Sequence, residues 1–233
     1  MMLLALAVAP GFAISLFIYL MDRYDREPVG LLLKCFLLGM ACVVLPLVIQ
    51  TFAASLGFRE DSGSLIGTAA FAYGVVGFSE ELAKFLVLRY VAYPNKAFNE
   101  PLDGIVYAVM IGMGFATLEN IAYVSKYGVG TGIARMFLSV PAHATFAVLM
   151  GYYAGFAKFA RQRETALLFR GWLIAVFFHG TYDFFLFTGN NILTLGASVI
   201  TLFIAIRLSA KAIRKNKAIS RQLNEQHYFE DNA

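Results

Sequence analysis

The chain has 233 residues, of which 59% are apolar and 15% are Asp, Glu, Lys or Arg, against roughly half and about a quarter in soluble domains. With 22 Phe, 12 Tyr and a mean hydropathy of +0.67, it is neither a disordered chain nor a compact soluble enzyme with a charged shell. The net charge of +4 gives no reason to expect a nucleic-acid partner, and Cys35 and Cys42 share one apolar stretch, with no disulfide framework and no zinc spacing.

A helix that crosses about 30 Å of hydrocarbon needs about 20 apolar residues. In chain order such segments run over 2–21, 29–54, 64–88, 102–124, 132–157, 166–188 and 191–207. The first is expected to be a span rather than a signal peptide, because no basic residue precedes it and its apolar run is too long. Neither an internal repeat nor a low-complexity linker divides the chain. The sequence predicts an all-α, polytopic membrane helix bundle with about seven transmembrane helices, one domain over 1–210, followed by a basic cytoplasmic tail over 211–233.

The basic residues orient this bundle. Arg23, Arg26 and Lys34 fall at the first connection, Arg89 and Lys96 at the third, and Lys158, Arg161, Arg163 and Arg170 at the fifth. The tail adds Arg207, Lys211, Arg214, Lys215, Lys217 and Arg221, whereas the opposite side has only Arg59, Lys126 and Arg135. Positive charge collects on the cytoplasmic side, so the chain is expected in the cell membrane with its N-terminus outside and its C-terminus in the cytoplasm. The tail reads as a positive-inside anchor that can also meet anionic lipid.

Each charged side chain inside a span costs a few kcal/mol on insertion scales and needs a reason. The third span contains Ser79-Glu80-Glu81-Leu82-Ala83-Lys84, the fourth Glu119-Asn120, the fifth His143, and the sixth His179-Gly180-Thr181-Tyr182-Asp183. Helical spacing puts Glu80 and Lys84 at i,i+4 and Glu81 and Lys84 at i,i+3, so either carboxylate can pair with the ammonium. Glu80 and Glu81 diverge by about 100° around the axis, so one is expected to reach a reaction centre and the other to pair. Asp183 is one turn from His179 and can orient its imidazole. Asn120 alone reads more readily as interhelical glue than as chemistry.

Taken together, these groups are expected to converge on a water-filled cavity inside the membrane. A desolvated Glu can act as a base near neutral pH, and an imidazole can hold the water or the oxyanion. The candidate catalytic residues are Glu80, Glu81, Glu119, His143 and His179, with Lys84, Asn120 and Asp183 in support. No cofactor is specified: the site can work metal-free, or the same donors can hold a zinc-like divalent ion, although a His-Glu-x-x-His helix is missing. A proton-coupled transporter would use buried Glu and His equally well, and a non-enzymatic membrane sensor would use them as helix glue. The partners expected of a hydrolase are a membrane-protein or peptide substrate and the lipid bilayer.

Glu80-Glu81-x-x-Lys84, Phe115-x-x-x-Glu119-Asn120, His143 and His179-Gly-x-x-Asp183 together resemble the PrsW family, within the larger superfamily of intramembrane glutamic endopeptidases that includes the CAAX prenyl proteases and the bacteriocin-immunity proteins. Asp22-Arg23-Tyr24-Asp25-Arg26-Glu27-Pro28 and Asp103-Gly104 are similar to the family as well. The resemblance implies site-1 proteolysis of a membrane-bound anti-sigma factor, with Glu80 and Glu81 as the family's paired glutamates and His179 as its later essential histidine. The CAAX enzymes have Phe-x-x-x-His where this chain has Phe115-x-x-x-Glu119, and an Arg one position beyond Lys84. Prenylated substrates are therefore not implied.

Overall fold

The computed structural model describes residues 2–22, 25–60, 62–189 and 191–231. Arg23 and Tyr24, which the sequence counts among the first connection and its motif, lie outside the described residues. The described chain is helical throughout and contains no strand. Its helices are α1 Met2–Met21, α2 Val29–Ala41, α3 Val44–Ser55, α4 Leu65–Ala69, α5 Phe78–Val87, α6 Pro101–Tyr127, α7 Val129–Phe137, α8 Ser139–Phe159, α9 Glu164–Thr188 and α10 Ile192–Asp231, with π-helical turns over Ala70–Gly77 and Leu88–Ala92 and a 3-10 turn over Arg161–Arg163. Among the described residues, five stretches are long and apolar enough to cross a membrane: Leu3–Met21, Val29–Ser55, Pro101–Tyr127, Val129–Phe159 and Ile192–Leu223. The two other apolar segments of the sequence, 64–88 and 166–188, have lower hydropathy because they carry Glu80, Glu81, His179 and Asp183.

Three prolines explain where these helices break and where one does not. A proline removes one N–H and crowds the carbonyl four residues earlier. Pro46 is four residues after Cys42, and the second apolar segment divides into α2 and α3 at residues 42–43. Pro141 is four residues after Phe137, where α7 ends, and α8 starts at Ser139 with only Leu138 between. Pro10 lies inside α1 without breaking it. The carbonyl it leaves without a helical donor is that of Leu6, and Asn120 of α6 donates its Nδ2–H to Leu6 O at 3.4 Å and Ala7 O at 2.9 Å. A neighbouring polar side chain thereby re-satisfies the freed backbone, as membrane helices require.

α6 is the central helix, packed on α1, α2 and α8. Its start is fixed by Pro101 in the first turn and a capping box between Glu100 and Asp103, which satisfies end amides that would otherwise be orphaned. The α6–α8 crossing is close because Gly104 lies against the backbone of Gly151 and Gly155, where a Cβ would collide. Small residues at such crossings supply the packing that the hydrophobic effect cannot supply between helices in lipid.

The helices run back and forth between two poles. At the tail pole, Asn99 donates to Asp25, Arg89 pairs with Glu164 at 3.4 Å, Lys158 donates to the carbonyl of Tyr93 and Asn216 donates to the carbonyl of Pro101 at 2.9 Å. At the opposite pole lie the connections before α4, between α6 and α8, and between α9 and α10. α10 continues without a break through residue 210, where the sequence places the boundary between domain and tail. A stripe of small and polar residues holds it to the bundle: Ser198 donates to Tyr182 O, Ser209 to Thr145 O and Asn216 to Pro101 O. Ala212 and Ser220 are buried on the same face.

Candidate active site

Glu80 and Glu81 stand in the first turn of α5, directly after the π-helical turns Ala70–Gly77. These turns pack on α9. Gly77 approaches the backbone of Val176 and Gly180 so closely that a Cβ would sit 3.1–3.2 Å from them. A Cβ on Gly180 would collide with Tyr73, whose hydroxyl shares a 2.8 Å hydrogen bond with Thr181. This glycine contact brings the paired glutamates beside His179.

Glu81 is fully buried, and its Oε1 accepts from Lys84 Nζ at 2.6 Å and from His179 Nδ1 at 2.8 Å. Glu80 faces a cavity of about 620 Å³ and lines its wall. Its Oε1 accepts from Gln50 Nε2 at 3.4 Å, whereas among the described residues its Oε2 has no hydrogen-bond donor. Glu81 makes the closer contact with Lys84, at 2.6 Å, and Glu80 is the glutamate that lines the cavity. Glu80 Oε2 lies 3.8 Å from His179 Nε2 and 3.7 Å from Lys84 Nζ.

The imidazoles of α8 and α9 meet edge to face, with ring centroids 5.2 Å apart, and Phe146 stacks on His179. A carboxylate has no proton to give, so His179 donates through Nδ1 to Glu81. Its Nε2 faces Glu80 and Asp183, whose Oδ2 is 3.2 Å away. His143 lies between Lys84 Nζ, 3.0 Å from its Nδ1, and Glu119 Oε2, 2.9 Å from its Nε2. An ammonium has only protons to give, so Nδ1 accepts and Nε2–H donates to Glu119. His143 therefore has Glu119 on Nε2 and turns Nδ1 to Lys84, whereas His179 has Glu81 on Nδ1 and turns Nε2 to Asp183 and Glu80. Glu80, His143 and His179 each offer a ligand atom within 4.8 Å of the other two. All three residues are buried and Glu80 Oε2 lacks a donor among the described residues, so the donor set fits a divalent metal of the zinc type once the ion takes the His143 Nδ1 lone pair in place of the Lys84 ammonium.

Glu119 lines the cavity with 18% of its side chain exposed. The sequence singled out Arg135 only as one of three basic residues on the sparse side. In the structure it joins the cluster: Nη2 donates to Glu119 Oε2 at 2.7 Å and Nε to Asn120 Oδ1 at 2.9 Å. The signal available in the sequence was an arginine inside the otherwise uncharged stretch 129–138. Gln50 is a second residue that the motifs did not contain. Asn120 has both functions of a membrane amide: its Nδ2 serves α1 and its Oδ1 serves Arg135.

A second set of buried carboxylates lies at the tail pole, outside the cavity. Asp103 Oδ2 accepts from the backbone amides of Asn99 and Glu100, and Tyr107 donates its hydroxyl to Glu27. Burial raises Glu27 to about 10, with Asp103 beside it adding to the rise. Burial likewise raises Glu100 to about 8, and Asp22 to about 6 against the pull of the Glu27 backbone amide.

Carboxylates and imidazoles from four helices gathered around a cavity in an apolar multi-pass bundle define a membrane-embedded enzyme. The chain belongs to the PrsW family: the family described as "PrsW family intramembrane metalloprotease" matches residues 27–209. It is 40% identical over 184 residues to Protease PrsW of Geobacillus kaustophilus (strain HTA426), covering 79% of each chain. It is 35% identical over 190 residues to Protease PrsW of Bacillus subtilis (strain 168), covering 81% of this chain and 84% of the relative. Protease PrsW of Clostridioides difficile (strain 630) is 35% identical over 190 residues, covering 79% of each. No solved structure matches the chain significantly. The protein is a membrane-embedded peptidase with several membrane-crossing helices.

Proposed function

We propose that the protein is a site-1 intramembrane endopeptidase that cuts a membrane-bound regulatory protein, such as an anti-sigma factor, at the cavity lined by Glu80. The observation that carries this reading is the convergence of Glu80, His143 and His179 within 4.8 Å at that cavity. In this reading the chain crosses the membrane seven times, with the tail pole in the cytoplasm and the cavity mouth toward the outside. The bias of basic residues toward the tail pole supports that orientation, and Tyr123, Arg135 and Ser139 at the opposite pole line the mouth. A first cut on the outer side is what this placement favours.

Glu80, His143 and His179 are the residues that would hold a divalent metal. Such an ion, when bound, polarises the scissile carbonyl and acidifies water. Glu81 and Glu119 each accept from one imidazole, which fixes ring orientation and tautomer. Lys84 offsets the charge of Glu81 inside the bundle. Asp183 lines the cavity beside His179 Nε2. It is the carboxylate placed to take a proton from the attacking water and return it to the leaving amine. The apolar walls formed by Val43 before α3, by Pro46 and Leu47 of α3 and by Phe187 of α9 accept an unwound stretch of apolar peptide. The metal assignment agrees with the family's description, and the wider kinship with CAAX-type glutamic peptidases rests on the shared order of motifs.

The test uses purified protein in detergent with a membrane-tethered peptide substrate. Glu80→Gln and His179→Ala are each expected to lower turnover by about 10²–10⁴-fold, the range lost with an acid–base or polarising group. Chelation should abolish cleavage and zinc should restore it. Wild-type rates in both variants would overturn the assignment of the site.

A further inference from the structure

We infer that Arg135 is a positioning residue for the peptidase reaction, acting from α7 through Glu119 on the imidazole of His143. The inference rests on the reading of the site given above and adds a residue to it. It starts from the receptacle that α6 builds for the guanidinium. Glu119, Asn120 and Tyr123 fall on adjoining positions of one helical turn, and each meets a different part of Arg135. The carboxylate accepts from Nη2 at 2.7 Å, the amide oxygen accepts from Nε at 2.9 Å, and the ring of Tyr123 lies 4.1 Å beneath Cζ. A planar fork with a stackable face can make these three contacts at once, and a lysine ammonium cannot.

The receptacle is itself anchored. Asn120 is fully buried and tied to the α1 backbone by its own amide protons, so Arg135 is referred to a fixed point. From there a continuous run of polar contacts crosses the bundle: Arg135 to Glu119, Glu119 to His143, His143 to Lys84, Lys84 to Glu81 and Glu81 to His179. Glu119 is its most exposed member at 18%, beside 11% for Arg135. Without the guanidinium, that carboxylate can turn out through the mouth to solvent. Its departure would release Nε2–H of His143, the bond that keeps Nδ1 pointing inward toward Lys84 and Glu80. Arg135 thereby does for His143 what the buried Lys84 contact does for Glu81 and His179: it holds the carboxylate that holds the ring. Removal of such an outer partner typically costs about 10–100-fold in activity or metal affinity.

The experiment compares Arg135→Ala, Arg135→Lys, Glu119→Gln and the double variant Arg135→Ala/Glu119→Gln in the full-length protein, by cleavage kinetics on the tethered peptide and by NMR of the ring nitrogens. The chain has three histidines, so ¹⁵N-histidine labelling of metal-free protein reports on His143 directly. Both Arg135 variants are expected to keep KM and the melting temperature and to lose about 10–100-fold in kcat. The double variant should be no slower than Glu119→Gln alone, because one residue acts through the other. The Nε2 signal of His143 should shift in Arg135→Ala toward its position in Glu119→Gln. An unshifted signal, a multiplicative loss in the double variant, or a loss confined to KM would each overturn the inference. If Glu80→Gln cuts normally, the peptidase site is wrong, and the nitrogen shift alone decides whether Arg135 positions His143.

Discussion

The bundle buries carboxylates at both poles and neutralises them differently. Around the cavity Glu81, Glu119 and Asp183 each face a basic group: Lys84, Arg135 or an imidazole within 3.2 Å. At the tail pole Glu27 and Asp103 have a tyrosine hydroxyl and backbone amides as donors, and among the described residues neither they nor Asp22 makes an ion pair. A buried carboxyl with no counter-charge holds its proton more tightly, as Glu27 does. The cavity thus keeps fixed charges in place for chemistry. The tail pole, where Asp25 and Glu27 meet the start of α6, keeps protons in place and serves the fold. The comparison predicts that removing a cation disrupts the first region and removing a proton the second.

The largest expected effect on stability is at Lys84. Its ammonium is buried between Glu81 and His143, with the Phe115 ring 4.2 Å away. Lys84→Met keeps most of the volume and leaves Glu81 buried with one imidazole as partner. Breaking a buried pair in this way costs about 3–5 kcal/mol, and each kcal/mol lowers the melting temperature of a chain this size by about 2–4 °C. The double variant Lys84→Met/Glu81→Gln should recover much of that loss, because no uncompensated charge remains. Thermal unfolding in detergent measures both. If the single variant is as stable as wild type, the pair is not what neutralises Glu81.

A smaller effect is expected where the two sides of the site are brought together. Gly180→Ala adds a methyl against Tyr73, and overpacking of this kind costs about 1–3 kcal/mol. The methyl is next to His179, so α9 should be pushed away from Ala70–Gly77 and the His179–Glu81 contact lengthened. Turnover should therefore fall by more than the loss of folded protein explains. Cleavage per folded molecule, with the folded fraction taken from the melting curve, separates the two effects.

How much of this could be read beforehand depends on the kind of signal. Five stretches of membrane-crossing length among the described residues are legible in apolar run lengths, and Glu80, Glu81, Glu119, His143, His179 and Asp183 stand out because ionisable groups are costly there. The division of labour between Glu80 and Glu81 was legible as a difference in angle, but which one pairs with Lys84 depends on where α9 lies. That in turn depends on the Gly77–Gly180 contact, which no local pattern encodes. The breaks at residues 42–43 and 138 were written in Pro46 and Pro141, yet Pro10 carries the same sign and does not break α1, because Asn120 arrives from another helix. Arg135 reads in one dimension as a topological charge, and only the return of α7 over the end of α6 turns it toward the site. In α10 the basic residues mark a tail over 211–233, and the stripe Ser209, Ala212, Asn216 and Ser220 at helical spacing marks the face that docks on the bundle.

The smallest effect, and the one that tests the comparison most directly, is the pH dependence set by the tail pole. Glu27, Glu100 and Asp22 hold their protons more tightly in the folded protein than ordinary carboxyls do, with values near 10, 8 and 6. For an acid whose folded value is raised, the stabilisation is complete below the unfolded value, near 4. It is lost as pH rises toward and through the folded value, because the unfolded chain then releases protons that the folded one retains. The melting temperature should therefore decline steadily between pH 5 and 9, about the range in which these groups differ most from an unfolded chain. Glu27→Gln keeps an oxygen for the Tyr107 hydroxyl and needs no proton, so it should match wild type at the acid end and decline less steeply toward the alkaline end. Asp22, Asp25 and Asp103 raise the Glu27 value, while Arg26 and Lys217 act in the opposite direction on Asp22. Lys217→Gln should therefore steepen the decline that Glu27→Gln relieves. Parallel wild-type and Glu27→Gln curves across this range would mean that Glu27 is charged in the folded protein, and that the two poles bury their carboxylates in the same way.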